Sequence, residues 1–385
     1  PQEVISWFPK TIPTGIGHGT VTVLMDGAPV EVSTFKGTME GQSDLYQDLL
    51  RRDFTINAVA MDTQGTIYDP FGGQEDLKKQ VIRSPLNQSR ERFFEDPLRM
   101  IRAIRLAATL NFALHPTVSE AIIDCHELIT QVSMERIQEE LNKILVSGNP
   151  SLGITLLLKH NLLAHIIPEA IPMVDFDQRN KNHDKDVFQH ALAVLDAVPP
   201  RLNVRWAAFL HDIGKPATFT QSEDGVGHFY GHHIKGQEIC RHILERLKYD
   251  HKTIEDITTL VGAHMTRFAR FRNANLKKLV SQVGEHNLED LYDLQKADIL
   301  GSAPPFDFTA LNEMQAEIEE ILRENQPLNI QDLAINGHDL MEIGIEPGPG
   351  MGQILQALLE IVLEDPQKNN ASTLLSLAKE LARPS

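Results

Sequence analysis

RFFEDPLRMIRAIR, residues 92–105, is the stretch that decides how we interpret this chain. Proline is well tolerated at the first position of a helix, so Pro97 predicts a helix that starts beside Asp96. Arginines then recur at steps of three, at Arg99, Arg102 and Arg105. Since residues three apart share a side of a helix, we expect Asp96 and Arg99 to face the same way.

A carboxylate beside a guanidinium can accept a hydrogen bond from an amino group and donate one to a ring nitrogen or carbonyl. Cytosine and adenine present that edge, whereas guanine and uracil mismatch it. The pair could therefore select a base without a nucleic-acid template. The alternative is structural: Asp96 caps its helix, and Asp96 and Arg99 form an ordinary surface ion pair.

Length and composition predict a multidomain globular protein. The chain has 385 residues, 42% of them hydrophobic, which is enough for more than one core. Two cysteines make no disulfide framework, so we expect a reducing, cytoplasmic location. Since no apolar run reaches membrane-spanning length, we expect neither a membrane-spanning segment nor a secretory leader. Because the first residue is Pro1, we expect a piece of a longer chain.

The net charge of -17 argues against general affinity for nucleic acid. Two local stretches are basic: residues 78–105 carry eight basic and three acidic side chains, and residues 266–278 carry five basic side chains and no acidic one. An acidic protein with two basic stripes fits a binder of one defined polyanion. Solvated helix faces are the alternative.

Alternating residues predict a two-stranded ribbon, with strands at residues 19–25 and 30–35 joined by a turn at Asp26-Gly27. Glu31 then projects from the sheet on the same face as Ser33. Residues 116–168 have helical spacing, and their apolar positions are predicted to form a packed core: Ile122, Ile123, Leu128, Ile137, Leu141, Ile144 and Leu145.

Five segments resemble the class II tRNA nucleotidyltransferases, the family of CCA-adding enzymes and bacterial poly(A) polymerases. They occur in the family's order along most of the chain: KTIPTGIGHGTVTV (10–23), EVSTF (31–35), RRDFTIN (51–57), DPFGG (69–73) and EDPLR (95–99).

The resemblance implies a site residue by residue. Glu31 would be the third metal-site carboxylate of the catalytic palm, where Mg²⁺ is expected, and Asp96 and Arg99 the base-reading pair. Arg52 would approach the triphosphate, and Asp53 and Asn57 would also contact the nucleotide. Arg102 and Arg105 would bind the phosphates of the nucleotide or the primer end. The expected reaction is attack of an RNA 3′ hydroxyl on the α-phosphate of CTP or ATP, and the expected partner is the tRNA acceptor end.

Two departures from the family pattern carry consequences. The sequence starts downstream of the family's Gly-Gly-x-Val-Arg-Asp turn and Asp-x-Asp pair, so we expect this chain to be inactive in nucleotide addition, since one carboxylate cannot hold two metal ions. The segment between Phe35 and Arg51 is also short, as in family members that add only two cytidines and in some other members, which argues against terminal adenosine addition without excluding it.

A second group of residues, His190, His211-Asp212, His232, His264 and Asp298, has the order of an HD phosphohydrolase domain. Imidazoles and carboxylates are ligands for divalent metals, here manganese, nickel, iron, cobalt or magnesium. A bound metal pair would activate water against phosphate monoesters or 2′,3′-cyclic phosphates, and Lys215 would steady the phosphate. The alternative is a metal-stabilised structural body. His338-Asp339 lies outside this series and is predicted to start a helix.

We therefore predict an α+β fold with four parts: an incomplete palm (1–83), a helical neck and body that binds nucleotide and tRNA (84–175), an HD domain (183–300) and a helical tail (301–385). Three functions remain open. The first is nucleotidyl transfer, with poly(A) synthesis as a variant, combined with HD hydrolysis. The second is hydrolysis alone, with the palm as an RNA-holding module, and the third is non-catalytic RNA binding. The sequence does not indicate the oligomeric state.

Overall fold

The structure is a computed structural model that describes residues 1–13, 16–35, 44–179, 185–268, 273–324 and 326–382, without the side chains of His18, Arg267, Phe268 and Asn273. Residues 36–43, which hold most of the short segment after Phe35, and Arg270 and Arg272 of the second basic stripe lie outside the described residues. The chain divides into two compact units, Pro1–Gln131 (unit 1) and Val132–Ser385 (unit 2). The four-part division proposed above stays a prediction.

Unit 1 combines helices with small sheets. Its helices are α1 (Gln2–Trp7), α2 (Asp44–Leu50), α3 (Gly73–Lys79), α4 (Ser89–Glu95), α5 (Leu98–Leu110) and α6 (Pro116–Cys125). Its strands are β1 (Thr11–Ile12), β2 (Thr20–Met25), β3 (Ala28–Ser33), β4 (Ala60–Met61), β5 (Ile67–Tyr68), β6 (Val81–Ile82) and β7 (Ala113–Leu114). Short 3-10 helices span Ile16–His18, Thr55–Asn57, Pro85–Asn87 and His126–Gln131.

The predicted ribbon is present but has a third strand. β2 and β3 pair antiparallel through a turn in which Asp26 and Gly27 both have positive φ, as the tightest hairpin turns require. β1 adds antiparallel to the other edge of β2, with Thr11 opposite Val23. The prediction of two strands was therefore wrong, because a two-residue strand gives no alternation to detect.

Helix α5 forms because its apolar residues return every three or four positions. Met100, Ile101, Ile104 and Ala108 are fully buried, whereas the arginines between them are only partly buried. The helix ends where Asn111 adopts a left-handed conformation. It begins at Leu98, one residue later than predicted, with Pro97 as its N-cap.

Unit 2 is almost entirely helical. Its helices are α7 (Met134–Leu145), α8 (Pro150–Lys159), α9 (Leu163–Ile166), α10 (Val187–Ala197), α11 (Leu202–Leu210), α12 (Lys215–Thr218), α13 (His232–Arg246), α14 (His251–Ala263), α15 (Asn273–Val283), α16 (Leu288–Gly301), α17 (Thr309–Arg323), α18 (Gly337–Glu342), α19 (Pro349–Glu364) and α20 (Ala371–Leu381). A hairpin pairs β8 (Thr220–Gln221) with β9 (Gly227–His228). Further 3-10 helices span Pro168–Met173, His264–Phe268, Glu285–Asn287, Ile330–Asp332 and Pro366–Lys368.

The helices of unit 2 pack with their apolar faces inward. α11 and α16 contact each other, and both contact α10 and α14; Trp206 and Phe209 of α11 are fully buried. The predicted core positions on α7 are confirmed, since Ile137, Leu141 and Ile144 are buried. In the part of the chain that the structure describes, every helix is too short or too polar to cross a bilayer.

Two local predictions had different outcomes. Ile123 is not a core residue, since 43% of it is exposed: the buried stripe of α6 runs through Val118, Ile122 and Cys125, and Ile123 is one residue outside it. The helix start at His338-Asp339 is confirmed, because Asn336 and Asp339 form a reciprocal capping pair at the start of α18. The α+β fold class is also confirmed.

Candidate functional sites

Unit 1 contains an open polar cavity of about 600 Å³, here called the arginine cavity. Its lining side chains come from the β2–β3 sheet, from α2 and the segment after it, and from the α4–α5 junction. They are Thr20, Glu31, Ser33, Asp48, Arg51, Arg52, Asp53, Asn57, Asp96, Arg99 and Arg102. Seven of the eight nucleotide-site residues expected from the sequence therefore meet here. Arg105, one turn further along α5, is half-buried and does not line the cavity.

Asp96 and Arg99 both line this cavity, and each is held by local contacts. The Asp96 carboxylate accepts a hydrogen bond from the backbone N–H of Leu98 at 3.2 Å, but Pro97 is the N-cap, so Asp96 contacts the start of α5 without being its cap. Arg99 donates to the Glu95 carboxylate at 2.8 Å and to the backbone carbonyl of Arg92 at 3.1 Å. Asp96 thus contacts the start of α5 and also lines the cavity.

The segment 51–57 is anchored by its apolar and acidic residues. Phe54 is fully buried, and the Asp53 carboxylate accepts hydrogen bonds from the Phe54 N–H (2.9 Å) and the Asn57 amide (3.1 Å). Arg102 of α5 pairs with the other Asp53 oxygen at 2.7 Å. This ion pair fixes the segment to α5 and brings both sets of arginines to one cavity.

Below the cavity, a buried network supports the same segment. The Thr55 hydroxyl donates to Asp76 of α3 at 2.5 Å, and Arg83 pairs with the same carboxylate at 2.7 Å. Gly73, which begins α3, lies so close that a Cβ there would be 2.2 Å from the Thr55 carbonyl oxygen. Gly73, the second glycine of the DPFGG segment, therefore permits close packing between α3 and residues 55–57.

The cations of the arginine cavity differ in how their charge is balanced. Arg52 pairs with Asp48 at 2.9 Å, and Arg102 and Arg99 pair with Asp53 and Glu95. Among the described residues, the exposed Arg51 guanidinium has no ion pair. The first basic stripe is likewise largely paired within unit 1, through Arg83, Arg90, Arg92, Arg99 and Arg102.

Glu31 alone does not make a metal site. It lies exposed on β3 opposite Thr22, on the face that lines the cavity. In the described part of unit 1, no three His, Cys, Asp or Glu side chains come close enough to hold one ion together. Glu31 thus offers one carboxylate, outside any such group in the described residues, which is too few to hold two Mg²⁺ ions.

Unit 2 brings together all six side chains of the predicted metal series, here called the histidine centre: His190, His211, Asp212, His232, His264 and Asp298. They come from α10, the end of α11, the start of α13, the end of α14, and α16. At most 5% of each residue is exposed. Two groups, His190–His211–Asp212 and Asp212–His232–His264, each have their ligand atoms within 4.8 Å, and both share Asp212.

The distances in the histidine centre fit shared metal ligands. The Nε2 atoms of His190 and His211 are 3.2 Å apart, as are those of His232 and His264. Two ligand atoms that each lie about 2.1 Å from one ion stand roughly 3 Å apart. Asp212 turns one oxygen toward His211 (3.1 Å) and the other toward His232 (3.5 Å), so its two oxygens would be available to both groups of ligand atoms.

Three imidazoles of the centre are oriented by the backbone. The Nδ1 atoms of His211, His232 and His264 lie 2.6–2.8 Å from the carbonyl oxygens of Ala208, Phe229 and Val261. A carbonyl can only accept, so each Nδ1 carries the proton and each Nε2 points into the centre. Gly214 allows the His211-Asp212 segment to approach α13, since a Cβ there would be 2.2 Å from the His232 carbonyl oxygen.

Charges around the centre shift its pKa values in opposite directions. Burial disfavours the imidazolium of His211, but Asp212 and Asp298 outweigh burial and raise its pKa. Burial also opposes the Asp212 carboxylate, yet His211 and Lys215 hold its pKa well below the usual range. Burial lowers the pKa of His232, and burial together with the nearby His211 lowers that of His264 to about 3. These shifts favour an ionised Asp212 carboxylate and neutral imidazoles at His232 and His264.

Lys215, which the sequence analysis expects to steady a phosphate, is buried beside the centre. Its Nζ lies 2.7 Å from Asp212 and donates to the Gln178 amide oxygen at 2.8 Å. Gln178 was missed by the sequence reasoning, because it belongs to no motif and meets Lys215 only through the fold. Asp48 and Glu95 were missed too, although their i,i+4 spacing to Arg52 and Arg99 was a signal that could have found them.

Known domain families match three parts of this chain. Residues 1–83 match the Poly A polymerase head domain, residues 111–173 the probable RNA and SrmB-binding site of polymerase A, and residues 221–378 the putative tRNA nucleotidyltransferase domain 2. These are domains of nucleotidyltransferases that act on RNA ends.

Individual relatives define the family. The chain is 31% identical to the CCA-adding enzyme of Lactobacillus johnsonii over 97% of the chain and 85% of that protein. It is 33% identical to the A-adding tRNA nucleotidyltransferase of Deinococcus radiodurans, over 82% and 75%. The chain also resembles the crystal structure of the Bacillus stearothermophilus CCA-adding enzyme in complex with CTP, with 27% identity and a TM-score of 0.66. The match covers 99% of this chain and 86% of that one. The chain belongs to the tRNA nucleotidyltransferase family that includes CCA-adding and A-adding enzymes.

Proposed function

We propose that the arginine cavity binds CTP, ATP or both, and serves the addition of these nucleotides to the 3′ end of tRNA. The single observation that carries the proposal is that Asp96 and Arg99 line the same cavity as Glu31 and Arg52. The carboxylate would accept from the exocyclic amino group of cytosine or adenine, and the guanidinium would donate to the neighbouring ring nitrogen or carbonyl. Guanine and uracil present the wrong donor or acceptor to this pair.

The remaining cations of the cavity are placed to hold phosphates. Arg51 can bind a phosphate without giving up an ion pair, while Arg52 and Arg102 are held near the cavity by Asp48 and Asp53. The RNA 3′ hydroxyl would attack the α-phosphate, and pyrophosphate would leave. In this reaction the chain's own residues select the base and align the triphosphate, and Mg²⁺, when bound with further carboxylates, supplies charge stabilisation.

The identity of the added nucleotide is part of the test. Relatives of similar identity include a CCA-adding and an A-adding enzyme, and the short segment before Arg51 resembles that of members that add only cytidines. Equilibrium binding of CTP, ATP, GTP and UTP to the purified chain measures selection without requiring catalysis. We expect CTP or ATP to bind at least about tenfold more tightly than GTP and UTP, since one bidentate base contact discriminates by about 1–3 kcal/mol.

Variants connect this selection to the cavity. Arg99→Ala should remove most of the preference for CTP and ATP. Arg90→Ala is the matched control, because Arg90 is an exposed arginine of α4 that pairs with Asp124 and does not line the cavity. Incubation of a longer protein, which also supplies the further metal-binding carboxylates, with tRNA that lacks its terminal CCA and with each labelled nucleotide then identifies the product. Equal binding of all four nucleotides by the unaltered chain would remove the transferase proposal.

The histidine centre supports a second function: we propose a divalent-metal-dependent phosphohydrolase of the HD type. The specific observation is the meeting of four buried imidazoles and two carboxylates, with two overlapping groups of ligand atoms. A divalent ion held there supplies a Lewis acid for hydrolysis of phosphate esters. Lys215, fixed by Gln178 and Asp212, would bind the phosphate of the substrate. Phosphate monoesters and 2′,3′-cyclic phosphates are the expected substrates.

Metal analysis of the purified chain tests this second function. His211→Ala should release the metal, while His251→Ala, on an exposed side chain of α14, should retain it. The metal-loaded chain is then assayed for release of phosphate after addition of manganese, nickel, cobalt or magnesium. A stable metal content without hydrolysis would favour a structural role for the centre, and unchanged metal content in His211→Ala would end the ligand assignment.

A further inference from the structure

The segment around His232 exposes an apolar surface beside the histidine centre. Among the large apolar side chains in the described part of unit 2, the two most exposed are Tyr230 at 77% and Ile234 at 64%. They lie two residues before and two residues after the predicted ligand His232. Large exposed apolar groups that cluster in this way commonly mark a binding surface.

The backbone separates inward-facing from outward-facing side chains in this segment. Phe229 turns inward, where its ring lies 5.4 Å from Lys215 Nζ and its carbonyl accepts from the His232 Nδ1–H. Gly231 then adopts a positive φ of 74°, a conformation suited to glycine, and α13 begins. Tyr230 therefore projects into solvent from a fixed turn, and two residues of chain span at most about 7 Å from it to His232.

The Tyr230 ring is itself held in place. It lies parallel to the His228 imidazole, with ring centroids 5.4 Å apart and an angle of 10° between the planes. His228 lies on β9, where its Nε2 is 3.2 Å from the Ser222 hydroxyl. His228 thus lies alongside the Tyr230 ring in an offset stack, and the large exposed area of the ring is left for a planar partner.

We propose that Tyr230 stacks on the base of a nucleotide whose phosphate occupies the histidine centre. This inference rests on the proposed phosphohydrolase function and specifies its substrate class as a nucleoside phosphate. Lys215 and a metal ion suffice to recognise a phosphate, so an ordered and exposed aromatic ring next to them adds recognition of a base. Stacking tolerates every base, so the surface would select nucleotides over other phosphates without reading sequence. A free mononucleotide and the 3′-terminal nucleotide of an RNA share this chemistry.

Binding to the Mn²⁺-loaded chain tests the inference without relying on turnover. Adenosine 3′-phosphorothioate and inorganic thiophosphate are titrated by calorimetry into the unaltered chain and into Tyr230→Ser and Tyr230→Phe. Tyr230→Ser should weaken the nucleoside ligand about tenfold, the loss expected for one base–aromatic stack, and leave thiophosphate binding unchanged. Tyr230→Phe should bind both like the unaltered chain. Tyr68→Ser, an exposed tyrosine of unit 1, is the matched control.

The outcomes separate this inference from the function on which it rests. Equal nucleoside affinity in Tyr230→Ser and the unaltered chain, with thiophosphate still bound, would overturn the stacking role alone. Failure of the metal-loaded chain to bind thiophosphate would overturn both the stacking role and the phosphohydrolase function. All three variants share an intact arginine cavity, so a difference between them reports on Tyr230. Repeating the titration with a short RNA that ends in a 3′-phosphorothioate shows whether the RNA end binds more tightly than the mononucleotide.

Discussion

Protonation of His264 should make the metal-free chain less stable in mild acid. His264 is fully buried, and burial with the adjacent His211 lowers its pKa to about 3, whereas an ordinary imidazole has a pKa of 6.5. Below pH 6.5, therefore, the imidazole of His264 binds a proton in the unfolded chain but stays neutral in the folded chain. A group with a depressed folded-state pKa of this kind lowers the free energy of unfolding as the pH falls from about 6.5 toward about 3.

The size of this effect follows from the two pKa values. Between about pH 7.5 and about pH 5, His264 should remove about 2 kcal/mol from the free energy of unfolding. His232 adds to the loss because its pKa is also lowered, whereas His211 opposes it because a raised pKa stabilises the folded chain at lower pH. Asp212 titrates below this window. A comparison with His264→Gln, which cannot titrate, isolates the contribution of His264.

The assay is urea unfolding in EDTA at the two pH values. Trp206 is fully buried on α11 and reports on unit 2, and the exposed Trp7 is replaced by phenylalanine in both proteins so that it does not contribute. The unaltered chain should lose about 2 kcal/mol more than His264→Gln on acidification. Parallel pH dependence in the two proteins would refute the reasoning, since it would mean that His264 titrates alike in the folded and unfolded chain.

Three further predictions follow from contacts in the two units. Gly214→Ala should lower the melting temperature of unit 2 and its metal content, because the new Cβ would lie 2.2 Å from a carbonyl oxygen of α13. Gly352→Ala, where the added Cβ meets open space, should change neither the melting temperature, measured by calorimetry, nor the metal content. Thr55→Val should destabilise unit 1 by about 1–3 kcal/mol in urea unfolding, since it removes a hydrogen bond to a buried carboxylate; an unchanged midpoint would contradict this. Glu95→Gln should weaken CTP or ATP binding several-fold by releasing Arg99, and unchanged affinity would show that Arg99 is held by its other contacts.

The sequence was most informative where periodicity and chemistry coincide. The three-residue spacing in α5 placed Asp96, Arg99 and Arg102 on one cavity, and the alternation of β3 placed Glu31 on the same face as Ser33. The order of histidines and aspartates predicted a cluster that spans more than 100 residues of chain, as the 3.0 Å contact between His190 and Asp298 shows. Each of these patterns of residue type and spacing can be recognised in the sequence without knowledge of the fold.

The features that could not be predicted depend on contacts between distant segments or on very short elements. β1 has only two residues and is defined by its pairing with β2. Gln178 meets Lys215 across 37 residues of chain, and neither residue indicates the other in the sequence. Ile123 was assigned to the core because it is apolar, but a helix turns about 100° per residue, which puts it beside the buried stripe of α6.

Each of three rings in the histidine centre donates its Nδ1–H to the carbonyl oxygen of the residue three positions earlier in its own segment. The tautomer of each ring is therefore set by its own segment and not by the other helices of the centre. An arriving ion finds donor atoms that are already preorganised, so little of its binding free energy is spent on reorienting them. Affinity in such a centre should respond to changes in helix packing, which set the spacing of the donors, more than to changes in the polar side chains around it.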